Sequence, residues 1–424
     1  MQAIFGTIVH SLSFDTLQIF KGCIVIDEFG QISKICKQIP DEIKDKDKRI
    51  LSDTQFLIPG FIDTHIHAPQ FVFTGSGYDL PLLKWLTTYT FPRESEFSNL
   101  DYARDAYGKC VARSLACGTT TASYYATIHC DSSAILARLV LEKGQRAFIG
   151  KVNMDMNSPD YYIETTSNSL SETRSFVENI LSLKSNLVRP IITPRFAPSC
   201  SIELMTGLSD IQKEFSIMAQ THISETKDEC DWVKSLFPSS TGYLDVYDKS
   251  NLVNKNTIFA HCIYLTEEER ALIKNRECGV SHCPNSNFSI SSGVLNVRQL
   301  IEQGITKVGL GTDISGGYSP SIHDSMRQAL TASRVLTIQN KSTPLSYANV
   351  IYLATLGGSK VLNLDEKVGN FVVGKEFDGL LIDVGVGKNI ELFPHDSLES
   401  MIEKWVYNGD DRNILQVFVQ GKLV

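Results

Sequence analysis

Eight apolar runs separated by amphipathic connectors, set between two strand-rich ends, predict an α/β chain of two parts. These are a TIM (β/α)8 barrel over residues 57–363 and a small β-sandwich domain assembled from residues 1–56 and 364–424. The flanking domain is read from short strands punctuated by Gly and Asp. At the start they are Ala3 to Val9, Thr16 to Ile26 and Ile32 to Ile39; at the end, apolar runs from Val368 to Asp383 and Leu415 to Val424 are broken by Gly-Lys and Asp-Gly pairs. The charged stretch Asp41 to Arg49 reads as a solvated turn in that domain.

The barrel strands follow in order: Phe56 to Asp63, Thr119 to Ala126, Ala147 to Met154, Arg189 to Arg195, Ile217 to Ile223, Thr257 to His261, Gly279 to Cys283 and Lys307 to Thr312. Between them Asp101 to Ser114, Ser132 to Lys143, Ser171 to Leu183 and His323 to Leu336 carry apolar residues at three- and four-residue intervals, the mark of helices with one buried face. Parallel strands joined by such crossovers put all their carboxyl ends on one rim, where this architecture builds its active sites.

Bulk properties narrow the function classes. The chain has 424 residues, 42% of them hydrophobic, and a formal charge of -8. That balance argues against a surface that tracks phosphates, so nucleic acid is not an expected partner. No run of 18 apolar residues and no signal-peptide pattern occurs, so a soluble, cytoplasmic enzyme is expected, with no membrane partner. The ten Cys include no C-x-x-C pair, which leaves neither a disulfide framework nor a thiolate zinc site indicated.

Placed on this map, the polar residues cluster at strand ends. The first run leads into Asp63-Thr64-His65-Ile66-His67, and two His two residues apart on extended chain point to the same side. The fifth run leads into Thr221-His222-Ile223-Ser224-Glu225, the sixth ends at His261, and the eighth leads into Asp313. His65, His67, His222 and Asp313 are therefore the expected metal ligands, three imidazoles and a carboxylate around one ion with room left for water. Zinc is expected, one per chain, and ferrous iron suits the same donors.

The order H-x-H, H, H, D along βα units resembles the amidohydrolase superfamily of metal-dependent hydrolases. Binuclear members carry a bridging modified Lys at the fourth strand end, where this chain has Pro194-Arg195-Phe196, so one metal is expected. By position, Glu225 would shuttle protons to a heterocycle and its leaving amine, His261 would hydrogen-bond the tetrahedral intermediate, and Asp313 would accept the proton of the attacking water.

Longer stretches sharpen the resemblance to the guanine deaminase family. Pro59 through Gln70, Leu83-Lys84-Trp85-Leu86-Thr87-Thr88-Tyr89-Thr90-Phe91-Pro92, Thr193 through Phe196, Ser281 through Asn287 and Gly309 through Asp313 are all similar to its motifs. Likeness is strong over roughly 57 to 330. It implies hydrolysis of guanine to xanthine and ammonia in purine catabolism, by a homodimer. His67, Gln70, Arg195, Phe196, His222, Glu225 and Asp313 would then line the substrate, with the Gln70 amide and the Arg195 guanidinium reading polar edges and Phe196 offering a face. Trp85, Tyr89 and Phe91 either add faces or pack on the rim. His282 would line the pocket or support a residue that does, Cys283 stays outside the ligand set, and His129 and His323 read as structural or solvent-facing. The alternatives are a relative acting on adenine derivatives, pterins or triazines, and a non-catalytic scaffold on the same barrel.

Overall fold

A computed structural model describes residues 1–424. Strands β1 (Gln2–Ser13), β2 (Thr16–Ile26), β3 (Ile32–Cys36), β4 (Lys48–Ile50) and β5 (Gln55–Pro59) open the chain. The hairpin of β1 and β2 pairs Ile4 with Ile24 and turns at Phe14-Asp15. Ile4, Ile8, Ile24 and Ile26 share a buried cluster with Leu57, Phe371 and Phe377, as the two-residue period of a half-buried sheet requires. The charged stretch Asp41 to Arg49 is not all turn: a short helical turn at Asp45–Asp47 is followed by β4, which adds to β1.

The barrel strands are β6 (Phe61–His67), β7 (Thr119–Tyr125), β8 (Arg146–Gly150), the two-residue β9 (Val152–Asn153), β10 (Val188–Pro194), β11 (Met218–Ile223), β12 (Thr257–His261), β13 (Gly279–His282) and β14 (Val308–Leu310). All pair in parallel, in the order β14-β13-β12-β11-β10-β8-β7-β6, and β9 continues β8 to reach β10. The four periodic stretches form the helices Leu100–Ala116, Cys130–Glu142, Thr166–Ser182 and Ile322–Ile338. The chain ends in β15 (Gly379–Asp383), β16 (Ile414–Val419) and β17 (Lys422–Leu423), which join the N-terminal strands in the order β17-β16-β15-β5-β1-β2-β3.

One expected strand is two. The run Phe56 to Asp63 divides at Gly60: β5 pairs with β1 and β15 in the terminal sheet, whereas β6 pairs with β7 in the barrel. A side chain at Gly60 would collide with Thr120, so the chain passes between the sheets only where it has no Cβ. Unbroken apolarity cannot mark this division, because both strands are buried.

The seam between β6 and β14 is closed without a regular ladder. The Asp313 N–H donates to the His65 carbonyl at 2.8 Å, and the His67 N–H to that of Ile314 at 3.1 Å. Across the same seam the Asp63 carboxylate accepts from the main-chain N–H and the hydroxyl of Thr312. This explains why β14 is shorter than Lys307 to Thr312: its last residues leave the strand to bond Asp63.

The strand-rich end also holds a helix, Leu398–Asn408, that the sequence reading did not separate from the strands. Its Trp405 is wholly buried, 5.2 Å from the Phe56 ring and 4.5 Å from the His323 ring. Between Val368 and Asp383 only β15 is strand; Phe371 and Phe377 enter the sheet core from irregular chain. Barrel and sheet are further joined by Arg146, buried at the start of β8, which pairs with Glu376 at 2.6 Å and Asp378 at 3.1 Å.

Candidate metal and substrate site

The extended chain at the end of β6 turns His65 and His67 to one side. The Nε2 atoms of His65 and His67 lie 3.3 Å apart, and His222, near the end of β11, brings its Nε2 within 3.1 Å of that of His67. Asp313 Oδ1 stands 3.2 Å from His65 Nε2 and 3.4 Å from His67 Nε2. The four ligand-type atoms all lie within 4.8 Å of one another, and all four residues are buried. His222 Nδ1 donates to the Arg195 main-chain oxygen at 2.6 Å, which leaves its Nε2 with a free lone pair aimed at the cluster.

Imidazoles so placed cannot all be satisfied by bonding one another, whereas one cation at their centre takes a lone pair from each. Burial, reinforced by the neighbouring His65, holds His67 and His222 well below the usual imidazole range, in the neutral form a metal needs. Burial works to raise the Asp313 carboxyl, yet His65, His261 and His67 together hold it below the ordinary carboxylate value. The three nitrogens and one carboxylate oxygen thus fit a single ion.

Beside this cluster sit two further titratable groups, His261 and Glu225. His261 Nε2 lies 3.6 Å from Glu225 Oε2 and 3.7 Å from Asp313 Oδ2, and its Nδ1 is 2.9 Å from Asn287 Oδ1. Glu225 Oε1 accepts from the Ser292 hydroxyl at 3.0 Å. Burial pushes the Glu225 carboxyl up to about 7, while Glu225 and Asp313 raise His261 against the effect of its own burial. Ser224, His261 and Asp313 all adopt positive φ (50°, 70° and 46°), a costly conformation that the rim enforces at the strand ends. The Glu225 N–H donates to Glu229 at 2.8 Å, which fixes the turn out of β11.

Three of the four cluster residues, His67, His222 and Asp313, open onto a pocket. Gln70, Arg195, Phe196 and Glu225 line it beside them. Leu82, Trp85, Leu86 and Ile290 supply the apolar cover. The aromatic segment after β6 thus divides: Trp85 faces the pocket, Tyr89 stacks on Phe73 at 6.3 Å, and the Phe91 ring lies 5.2 Å from the Arg195 guanidinium carbon. His282 is buried away from the lining, and burial lowers its pKa to about 3. The Cys283 thiol lies near His65 and His261 but outside the four-donor group, and burial pushes it well above its usual value. His129 is half-buried beside the Tyr162 ring, and His323 sits against the carbonyls of Trp405 and Val406.

Sequence reasoning missed several groups. Glu94 is wholly buried and binds both Gln70 and Arg195; a lone Glu in a loop reads as solvated, so nothing marked it. Tyr125, at the end of β7, packs its ring 4.7 Å from that of His65 and 4.5 Å from that of His67. Asn287 lay inside a motif already singled out, while Ser292, five residues on, had no signal.

Known proteins bear on this geometry. Residues 56–424 match the family model described as the amidohydrolase family. The chain is 47% identical to guanine deaminase of Dictyostelium discoideum over 99% of its own length and 97% of the relative's. Against guanine deaminase of Homo sapiens the identity is 46%, covering 99% of this chain and 95% of the other. It also superposes on the crystal structure of guanine deaminase from C. acetobutylicum with guanine bound in the active site, with a TM-score of 0.94, 38% identity and coverage of 100% and 99% of the two chains.

Proposed function

The chain belongs to the amidohydrolase family, and on that premise we propose that it hydrolyses guanine to xanthine and ammonia with one zinc ion held by His65, His67, His222 and Asp313. The observation that carries this reading is the convergence, in one pocket, of that donor group with Glu225 and with the polar side chains of Gln70 and Arg195. Full-length identity to guanine deaminases of 46–47% supports the same substrate.

The residues divide the work. Arg195 offers guanidinium N–H donors to the carbonyl oxygen of the purine, Gln70 offers its remaining amide N–H, and Phe196 lies against the ring. Bound zinc supplies Lewis acidity, lowering the pKa of the attacking water to about 7. Asp313 takes a proton as the water oxygen bonds to the carbon bearing the amine. Glu225, protonated near neutrality by its burial, gives its proton to the adjacent ring nitrogen, then takes up the proton of the new hydroxyl and passes it to the departing amine, and the proton held by Asp313 restores Glu225 for the next turnover. His261 donates to the oxygen on the tetrahedral carbon. As the carbon–nitrogen bond breaks, the oxygen becomes the second carbonyl of xanthine and ammonia leaves.

Ammonia release from free guanine, with xanthine followed by ultraviolet absorbance and metal measured on the same sample, tests the reading. Stoichiometric products with about one zinc per chain are expected. Faster turnover of an aminopurine nucleoside than of guanine would overturn the substrate assignment. A homodimer in the cytoplasm is part of this reading through the family resemblance, and light scattering of the purified chain tests the dimer. No helix is long and apolar enough to cross a membrane.

A further inference from the structure

Glu94 stands outside the reaction just described, yet it is the best-connected buried carboxylate near the pocket. It is 0% exposed. Its Oε2 accepts from Arg195 Nη1 at 2.6 Å and from the Tyr162 hydroxyl at 2.8 Å. Its Oε1 accepts from Arg195 Nη2 at 3.2 Å and from Gln70 Nε2 at 3.0 Å. Both polar side chains assigned to read the purine therefore hang on one carboxylate. Gln70 is further oriented by the Ser315 N–H, which donates to its carbonyl at 3.2 Å, so the amide cannot flip without losing two bonds.

Charge matters as much as geometry here. A buried guanidinium with no counter-ion would leave the pocket wall positive, and the paired Glu94 makes it neutral overall. Guanine is neutral. Its product has a carbonyl where the amine stood, which makes a ring N–H more acidic, so xanthine tends toward an anion. A positive wall would hold that anion and slow its release.

We propose that Glu94 sets the specificity of the pocket, holding Arg195 and Gln70 in register with the substrate edge and cancelling the Arg195 charge so that an anionic dioxopurine is not retained. This rests on the guanine reading of the site. Glu94 touches no reacting atom; it is a positioning residue that acts through two others.

The test compares inhibition by xanthine and by hypoxanthine, an oxopurine that stays neutral where xanthine has lost a proton, in mildly alkaline buffer. In Glu94→Gln the KM for guanine rises about tenfold or more through the lost ion pair. Xanthine inhibition tightens relative to hypoxanthine by about tenfold, which mere loosening cannot produce because it weakens both. Tyr162→Phe removes one bond to Glu94 and no charge, so the xanthine-to-hypoxanthine ratio stays at the wild-type value. Should Glu94→Gln fail to fold, Arg195→Gln reads the same balance from the other side: a stranded carboxylate weakens xanthine relative to hypoxanthine. A ratio unmoved by the charge-changing variants overturns the role of Glu94 while wild-type turnover of guanine stands. Absence of that turnover instead overturns the underlying reading.

Discussion

The Nδ1 of His222 donates to the main-chain oxygen of Arg195 across 2.6 Å, so the residue before Phe196 serves the site twice. Its carbonyl fixes the tautomer of a ligand-type imidazole, and its side chain reaches the substrate wall. In the proposed reading, the metal-ligand cluster and the substrate wall therefore share one residue just past the end of β10.

Removal of the ion is expected to abolish turnover and destabilise the fold. Ligand binding to the native state alone contributes about 2.7 kcal/mol when the ligand is present at a hundred times its Kd. Chelator-treated protein should melt at a lower Tm, with zinc restoring both Tm and activity. Identical melting curves with and without metal would sink the assignment of the donor group.

Glu225→Gln removes the proposed proton carrier and none of the four cluster donors. We expect kcat to fall by about a hundredfold or more while metal content is unchanged. Loss of the metal would mean that Glu225 holds the ion.

Ser292 is tied to the chemistry only through its hydroxyl, which donates to Glu225 Oε1. In Ser292→Ala the carboxyl is less firmly aimed, and kcat should drop about three- to tenfold with KM for guanine little changed. A rise in KM at constant kcat would show that Ser292 shapes the pocket instead.

His323 is buried against Trp405, and burial lowers its pKa from the ordinary 6.5 to about 3. The sign follows from the depressed folded value. Above pH 6.5 the ring is neutral in both states; as pH falls from there toward about 3, the unfolded chain takes up the proton first and stability is lost. Denaturant unfolding across that window should show a shallower loss in His323→Gln than in wild type. Equal slopes would count against the buried neutral ring as a source of acid sensitivity.

Much of the barrel was legible because strand periodicity is local. The spacing His65-x-His67 needs only extended chain to place both rings on one side, and His222, His261 and Asp313 could be counted to strand ends. What escaped depends on tertiary context. Gly60 divides two strands that are equally apolar, and the sequence holds no sign of which sheet each joins. Glu94 looks like any loop carboxylate until folding delivers Arg195, Gln70 and Tyr162 to it. Trp405 likewise reveals its helix only through the Phe56 and His323 rings that it meets.

The seam of the barrel has a temporal meaning. Synthesis delivers His65 and His67 early, His222 midway and Asp313 near the three-quarter point of the chain. Until Thr312 reaches Asp63 the first strand has no neighbour on that side and its imidazoles have no carboxylate partner. A nascent or truncated chain that stops short of this clasp lacks Asp313, so the four-donor cluster is completed only by a barrel whose last strand has arrived.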